Sequence, residues 1–431
     1  MLPPYACHFM DCLEFNQKGV CMSKKLNRFL ALESAEVVEQ RLVGSEEPTV
    51  DVETAAAELG EVEEALDESL DVHDELSALA NQVQTDADNG KLSQEALSYA
   101  NALARVHLNR VGLGGLRTGM ESTYSPESIG KRVKDVWEMV KKFFAEMLKK
   151  LKAFFSSSSK KSEELKEEIK QQKVKLQELD KEIKAAKSDK AESKQIPVKF
   201  TTKSREVLFL VDSDGKLPDL NKAMLSLDEA LGIVMDSYSE RLDQFTRVSK
   251  DIQAATQGTA VPEYTSADFK LSLKGMTVVK DAVSGYPTHR LDLEYGNVAL
   301  GCYEPLGDIR PSNFVERSQF ALLHAESGLA HQECTVPIPS ISELDSLLNS
   351  AERLLAVSET LDQAMVGFAR TLENKEFPDE VWDAAEDAVM LATKLSSSAA
   401  SYAVFIQKQK IRLCRAIITY VELAKAELAK S

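Results

Sequence analysis

The stretch "GMESTYSPESIGKRVKDVWEMVKKFFAEMLKKLKAFF", Gly119 to Phe155, decides how the rest of the chain is read. Ser125-Pro126-Glu127 has the chemistry of a helix start: a hydroxyl that accepts a free amide, a proline where no amide is needed, and a carboxylate at the positive end of the dipole. Beyond it, Ile129, Val133, Val136, Trp137, Val140, Phe143, Phe144, Met147, Leu148, Leu151, Phe154 and Phe155 recur at helical spacing and form one broad apolar stripe. Lys131, Arg132, Lys134, Lys141, Lys142, Lys149, Lys150 and Lys152 occupy the other side. A basic amphipathic helix of this kind has three uses. Its stripe can pack on the rest of the chain and leave the lysines in water, it can lie on an anionic membrane surface, or its lysines can contact nucleic acid.

Upstream the charge is reversed. Between Met22 and Glu121 there are 8 Lys/Arg against 20 Asp/Glu, most of the acids in "SEEPTVDVETAAAELGEVEEALDESLDVHDELSALA". Leu59, Val62, Leu66, His73, Leu76 and Leu79 recur every three or four residues, which predicts one or two acidic helices with little to form a core of their own. "LSQEALSYANALARVHLNR" continues the helical pattern until Gly112, Gly114 and Gly115 break it, and His107 reads as an ordinary helix-face histidine.

Downstream, "SSSSKK" from Ser156 reads as an interruption. Leu165, Ile169, Gln172, Leu176, Leu179, Ile183 and Ala186 then alternate by four and three, the seam of a short coiled coil or helical hairpin. Over Ser122 to Gln195 there are 19 Lys/Arg and 13 Asp/Glu, so a positive segment sits inside an acidic protein. "IPVKFTTKSREVLFLVD" reads as strand, "DSDGKLPD" as turn, and "LNKAMLSLDEALGIVMDSYSERLDQFTRVSKDIQAATQ" as one long helix or two. "FKLSLKGMTVVKDAV", "HRLDLEYGNVALGCYEP" and "QFALLHAE" predict a small antiparallel sheet. The remainder reads as a bundle of about three helices, one starting at Pro378. The expected fold class is α+β, mostly α: an upstream-start tail over 1–21, an acidic leader over 22–121, the basic helix and coiled-coil segment over 122–195, a mixed α/β domain over 196–335 and a C-terminal helical bundle over 336–431.

At 431 residues and 43% apolar content the chain has room for several buried cores, and a formal net charge of −17 argues against a dedicated DNA-binding protein. The first 21 residues have neither a basic region nor an apolar core of a signal peptide, and no apolar run is read as a membrane span. Cys7, Cys12 and Cys21 with His8 lack zinc-site spacing, so no metal or other cofactor is expected. "DSDG" at Asp212 lacks the later ligands of an EF-hand loop. His289, His324 and His331 lie near Cys302 and Cys334 in the β region without a nucleophile signature, so the chain reads as non-enzymatic, a hydrolase centred there being the weaker alternative.

The acidic leader, a start like "MSKKLNRFLALESAE" and the segment "ESTYSPESIGKRVKDVWEMVKKFFAEMLKKLKAFF" together resemble the internal head proteins, or prohead core proteins, of giant tailed bacteriophages. The resemblance implies a propeptide removed during head maturation by a phage prohead protease that cuts after a small-x-Glu motif. Gly119-Met120-Glu121 matches that motif, with Ser122 as the new first residue, and the matches ending at Glu33 and Glu36 would be secondary sites. The implied partners are the protease, other head proteins and packaged DNA through the basic segment, with self-association through the coiled coil. The implied location is the host cytoplasm during assembly and then the head interior. The alternative is a peripheral membrane protein anchored by the basic helix.

Overall fold

The computed structural model describes residues 51–113, 126–188, 199–212, 214–255, 259–280, 287–294, 298–305, 309–324, 333–355 and 379–430. The fold is α+β and mostly α. By packing, these residues form two units, one holding Ala57–Lys150 and the other holding Asp51–Ala56 with everything from Leu151 onward.

The first unit contains most of α1 (Val52–Asp88), all of α2 (Gln94–Arg110) and the start of α3 (Pro126–Ser188). Gln82 donates to Asp86 (3.0 Å) and Gln84 to Asp88 (2.9 Å), the four-residue pairs that support an exposed last turn. α1 ends where Gly90 takes φ +65°, a left-handed conformation that a β-carbon disfavours. Three residues later Ser93 caps α2, its side chain accepting from the Ala96 amide at 3.1 Å. α3 is a single helix of 63 residues, about 95 Å at 1.5 Å per residue, and "SSSSKK" does not interrupt it. Serine costs a helix only about half a kcal/mol per residue. Packing overrides that preference, because Ser158 and Ser162 are buried and Ser158 donates to Gln407 at 3.3 Å.

The second unit is built along α8 (Asp379–Ala429), one helix of 51 residues where the sequence suggested shorter ones. Its described residues begin at Asp379, and Pro378 lies outside them. Before it the described chain has a helix over 341–355 (α7), capped by a reciprocal pair: Glu343 accepts from the Ser340 amide at 2.7 Å and Ser340 Oγ accepts from the Glu343 amide at 3.3 Å. α8 is also long and apolar enough, by length and composition, to cross a membrane, which the sequence reading missed because its lysines and arginines divide the apolar run. Of its most apolar window, 78% is buried within the fold.

The long helix α5 (Leu220–Ala255) packs along α8. The coiled-coil seam of α3 packs there too, and in parallel: Ser158 pairs with Gln407, and Gln172 with both Glu422 and Lys425. Leu165, Ile169, Gln172, Leu176 and Leu179 are buried, Ile183 is half-buried, and the side chain of Ala186 lies outside the described residues.

The expected strand over "IPVKFTTKSREVLFLVD" shrinks to β1 (Lys199–Thr202), followed by a short helix α4 (Arg205–Leu208) and a turn. An unbroken apolar run cannot distinguish strand from buried helix. Val207, Leu210 and Val211 are buried, and the Phe209 ring lies under the Arg412 guanidinium of α8 at 3.9 Å. Asp212 organises the acidic turn as expected, its Oδ1 accepting from the amides of Asp214 and Lys216, both at 2.9 Å.

The main sheet is a four-stranded antiparallel meander of β2 (Thr277–Lys280), β3 (Pro287–Asp292), β4 (Val298–Tyr303) and β5 (Gln319–His324). Between β4 and β5 lies a short helix, α6 (Pro311–Arg317). β1 pairs with β6 (Cys334–Pro337), closing a span of more than 130 residues. "FKLSL" is not strand. Its amides are taken by carboxylates, Leu271 donating to Glu304 (3.2 Å) and Ser272 to Glu240 (2.8 Å), which removes the ladder bonds a strand would need. The fully buried Arg241 of α5 fixes the preceding turn by donating to the Phe269 carbonyl at 2.6 Å.

Candidate functional site: the basic helix and its acidic cover

Most of the described apolar stripe of α3 is withdrawn from solvent, with Val133 and Phe144 half-buried and the Leu148 side chain outside the described residues. Ile129, Val136, Trp137, Val140, Phe143 and Met147 are all buried. Ile129 packs with Val83 of α1 and Ala100 of α2, and Val136 with Val72 and Leu76 of α1 and Ala104 and Leu108 of α2. Trp137 meets the His73 ring edge-on at 5.7 Å between centroids, and Lys150 Nζ lies 2.7 Å from Glu58 Oε2. Residue numbers on α1 fall as those on α3 rise, so these helices are antiparallel. Those on α2 rise with α3, so α2 and α3 are parallel, and the chain leaves α2 at the opposite end of that helix from where α3 begins.

Thus the acidic helices do own a core, but one shared with the basic helix. The 3.6-residue period that placed His73 among leucines was correct about its face. The imidazole is fully buried, and that burial lowers its pKa from 6.5 to about 4, leaving it neutral beside Trp137. Sequence reading did not identify Glu58, His73 or Trp137 as contacts, because periodicity gives a face and never the partner.

α1 and α2 are also joined by charge. Arg110 of α2 donates from Nε to Glu68 (2.5 Å) and from Nη1 to Glu75, and His107 Nδ1 lies 2.6 Å from the same Glu75 carboxylate. Burial pushes the Glu75 pKa up, but the hydrogen bond from His107 and the charge of Arg110 outweigh it and hold it below the usual value. The same ion pairs raise Arg110 against the opposing effect of burial. His107 therefore has a structural partner on α1.

The cationic side of α3 faces mostly outward. Lys131, Lys134, Lys142, Lys149 and Lys152 are exposed, while Arg132 lies 3.1 Å from Asp135 and Lys149 lies 3.8 Å from Glu146 within the same helix. Lys150 reaches across to Glu58 of α1, and the Lys141 side chain lies outside the described residues. The cover over this helix includes the apolar clusters around Ile129 and Val136, beside which a partly exposed pair such as Lys150–Glu58 is worth at most about 1 kcal/mol. Gly119, Met120, Glu121 and Ser122, together with Glu33 and Glu36, lie outside the described residues.

In the β region, His289 stands opposite Cys302 in the β3–β4 register, and its Nε2 is 3.4 Å from Glu304 Oε2. Cys302 is fully buried, and burial, with the Glu304 charge second, drives its thiol far above the ordinary range. A nucleophilic cysteine needs the reverse, a stabilised thiolate with access to substrate. Cys334 is likewise buried and raised, the side chain of His324 and all of His331 lie outside the described residues, and among the described residues no group of three or more His, Cys, Asp or Glu could hold a metal ion.

Searches with the whole chain found no matching family model, no matching curated protein and no matching solved structure.

Proposed function

We propose that this chain is a non-enzymatic structural protein of a tailed-phage head interior, made as a precursor and cut after Glu121 by a prohead protease. The observation that carries the reading is a coincidence at one boundary. The small-x-Glu motif Gly119-Met120-Glu121 falls between the end of the acidic α1–α2 pair and the start of basic α3, where the net charge changes sign.

The packing supplies a reason for such a leader. Residues 1–121 carry 13 of the 17 net negative charges, and their helices cover an aromatic and aliphatic stripe that would otherwise promote association before assembly. Without those residues the chain is closer to neutral and its lysine face sits in a less repulsive field for DNA. A membrane anchor would need the stripe that α1 and α2 occupy, so the observations favour the head reading. Its test is the intact mass and N-terminal sequence of the protein recovered from purified virions. A chain beginning at Ser122 is the expected result, and a chain that retains residues 22–121 would overturn the processing step.

A further inference from the structure

We propose that residues 126–150 of α3 form a docking surface for the chain's own α1–α2 hairpin, and that this surface keeps the hairpin bound in trans after the connection between α2 and α3 is cut. The proposal deepens the head-maturation reading and rests on it only for the natural occurrence of a cut. Its physical content is independent of that reading.

Contacts between α3 and the hairpin run from Ile129 against Val83 and Ala100, through Val136 and Trp137, to Lys150 against Glu58, about 30 Å of helix at 1.5 Å per residue. None of them depends on the covalent connection. The hairpin is internally tied by Arg110 and His107 to Glu68 and Glu75, and by the short turn over 89–93, so a cut after α2 leaves both helices joined. Releasing the hairpin would return buried Val72, Leu76, Val83, Ile129 and Val136 to water together, a cooperative loss that one peptide-bond cleavage does not compensate. Cleavage and unmasking are therefore separate events: the cut makes the leader removable, and a second event must displace it.

The test uses the full chain with a site-specific protease sequence placed within 114–125. After complete cleavage, gel filtration and native mass spectrometry at micromolar concentration should give a single 1:1 complex with unchanged far-ultraviolet circular dichroism. The complex should persist in 1 M NaCl, because the packing of Ile129 and Val136 against α1 and α2 is apolar and salt does not screen it. Leu76→Ala should weaken retention by about 30-fold or more, whereas Lys150→Gln should weaken it by no more than about 5-fold. Fragments that separate after cleavage, or only when salt is raised, would overturn the proposal, as would a Lys150→Gln effect larger than that of Leu76→Ala. An uncleaved chain in virions would overturn the processing reading while leaving this result standing, so the two failures are distinguishable.

Discussion

Acidification offers a sharp probe of the shared core, through His73. The imidazole is fully buried against Trp137, and burial lowers its pKa from 6.5 to about 4. Because the folded-state pKa is depressed, the histidine imposes no penalty above pH 6.5, where it is neutral in both states. As pH falls from 6.5 towards 4 the unfolded chain takes up a proton that the folded chain refuses, so stability declines across that window and levels off below it. Linkage over that shift gives about 2 kcal/mol lost by pH 5 and about 3 kcal/mol by pH 4. The chain has two tryptophans, so in a Trp382→Phe background Trp137 emission reports urea unfolding of the first unit. Carboxylates also titrate near the acid end, and comparison with His73→Leu in the same background removes their contribution. The expected result is a fall in the unfolding midpoint between pH 7 and pH 5 that is largely absent in His73→Leu. Identical pH profiles for the two proteins would refute the burial of His73 against α3.

Other consequences are equally direct. At Gly301 in β4 a β-carbon would lie 2.7 Å from Leu323 Cδ1, so Gly301→Ala should cost about 1 to 3 kcal/mol and lower the melting temperature, while an unchanged melt would show that β5 yields freely. Cys302 and Cys414 are fully buried, and burial pushes the Cys414 thiol up to about 12, so both should resist a thiol reagent at pH 8 until urea is added; rapid labelling of either under native conditions would contradict their packing. Because α1 and α2 cover the α3 stripe, the uncut full chain should not float with vesicles rich in anionic lipid at 0.15 M salt. Flotation would favour the membrane-anchor reading instead.

These expectations separate two roles for the same helix. Its apolar stripe is an internal contact in the intact chain, and Lys131, Lys134, Lys142, Lys149 and Lys152 lie on its exposed side. The seam farther along α3 is likewise used within the chain. Gln172, its one polar member, is held by Glu422 and Lys425 of α8, so its side chain contributes to register in an intramolecular parallel pair. Pairing between copies through that seam would have to displace α8.

Local chemistry determined much of this protein without reference to its fold. The helical period of α1, the first half of α3 and α5, the Asp212 turn and the antiparallel strands were legible because each depends on neighbours a few residues away. The charge reversal at Glu121 was legible for the same reason. What the stripe of α3 packs against, why "SSSSKK" stays helical, why "FKLSL" is not a strand and how α8 continues through 51 residues were decided by tertiary structure. In each case the deciding partner is remote in the chain: Val83 for Ile129, Gln407 for Ser158, and Glu304 for the Leu271 amide. Amphipathic periodicity specifies that a face must be covered, but the free energy of covering it depends on whichever distant surface fits, and that surface exists only once the chain has folded.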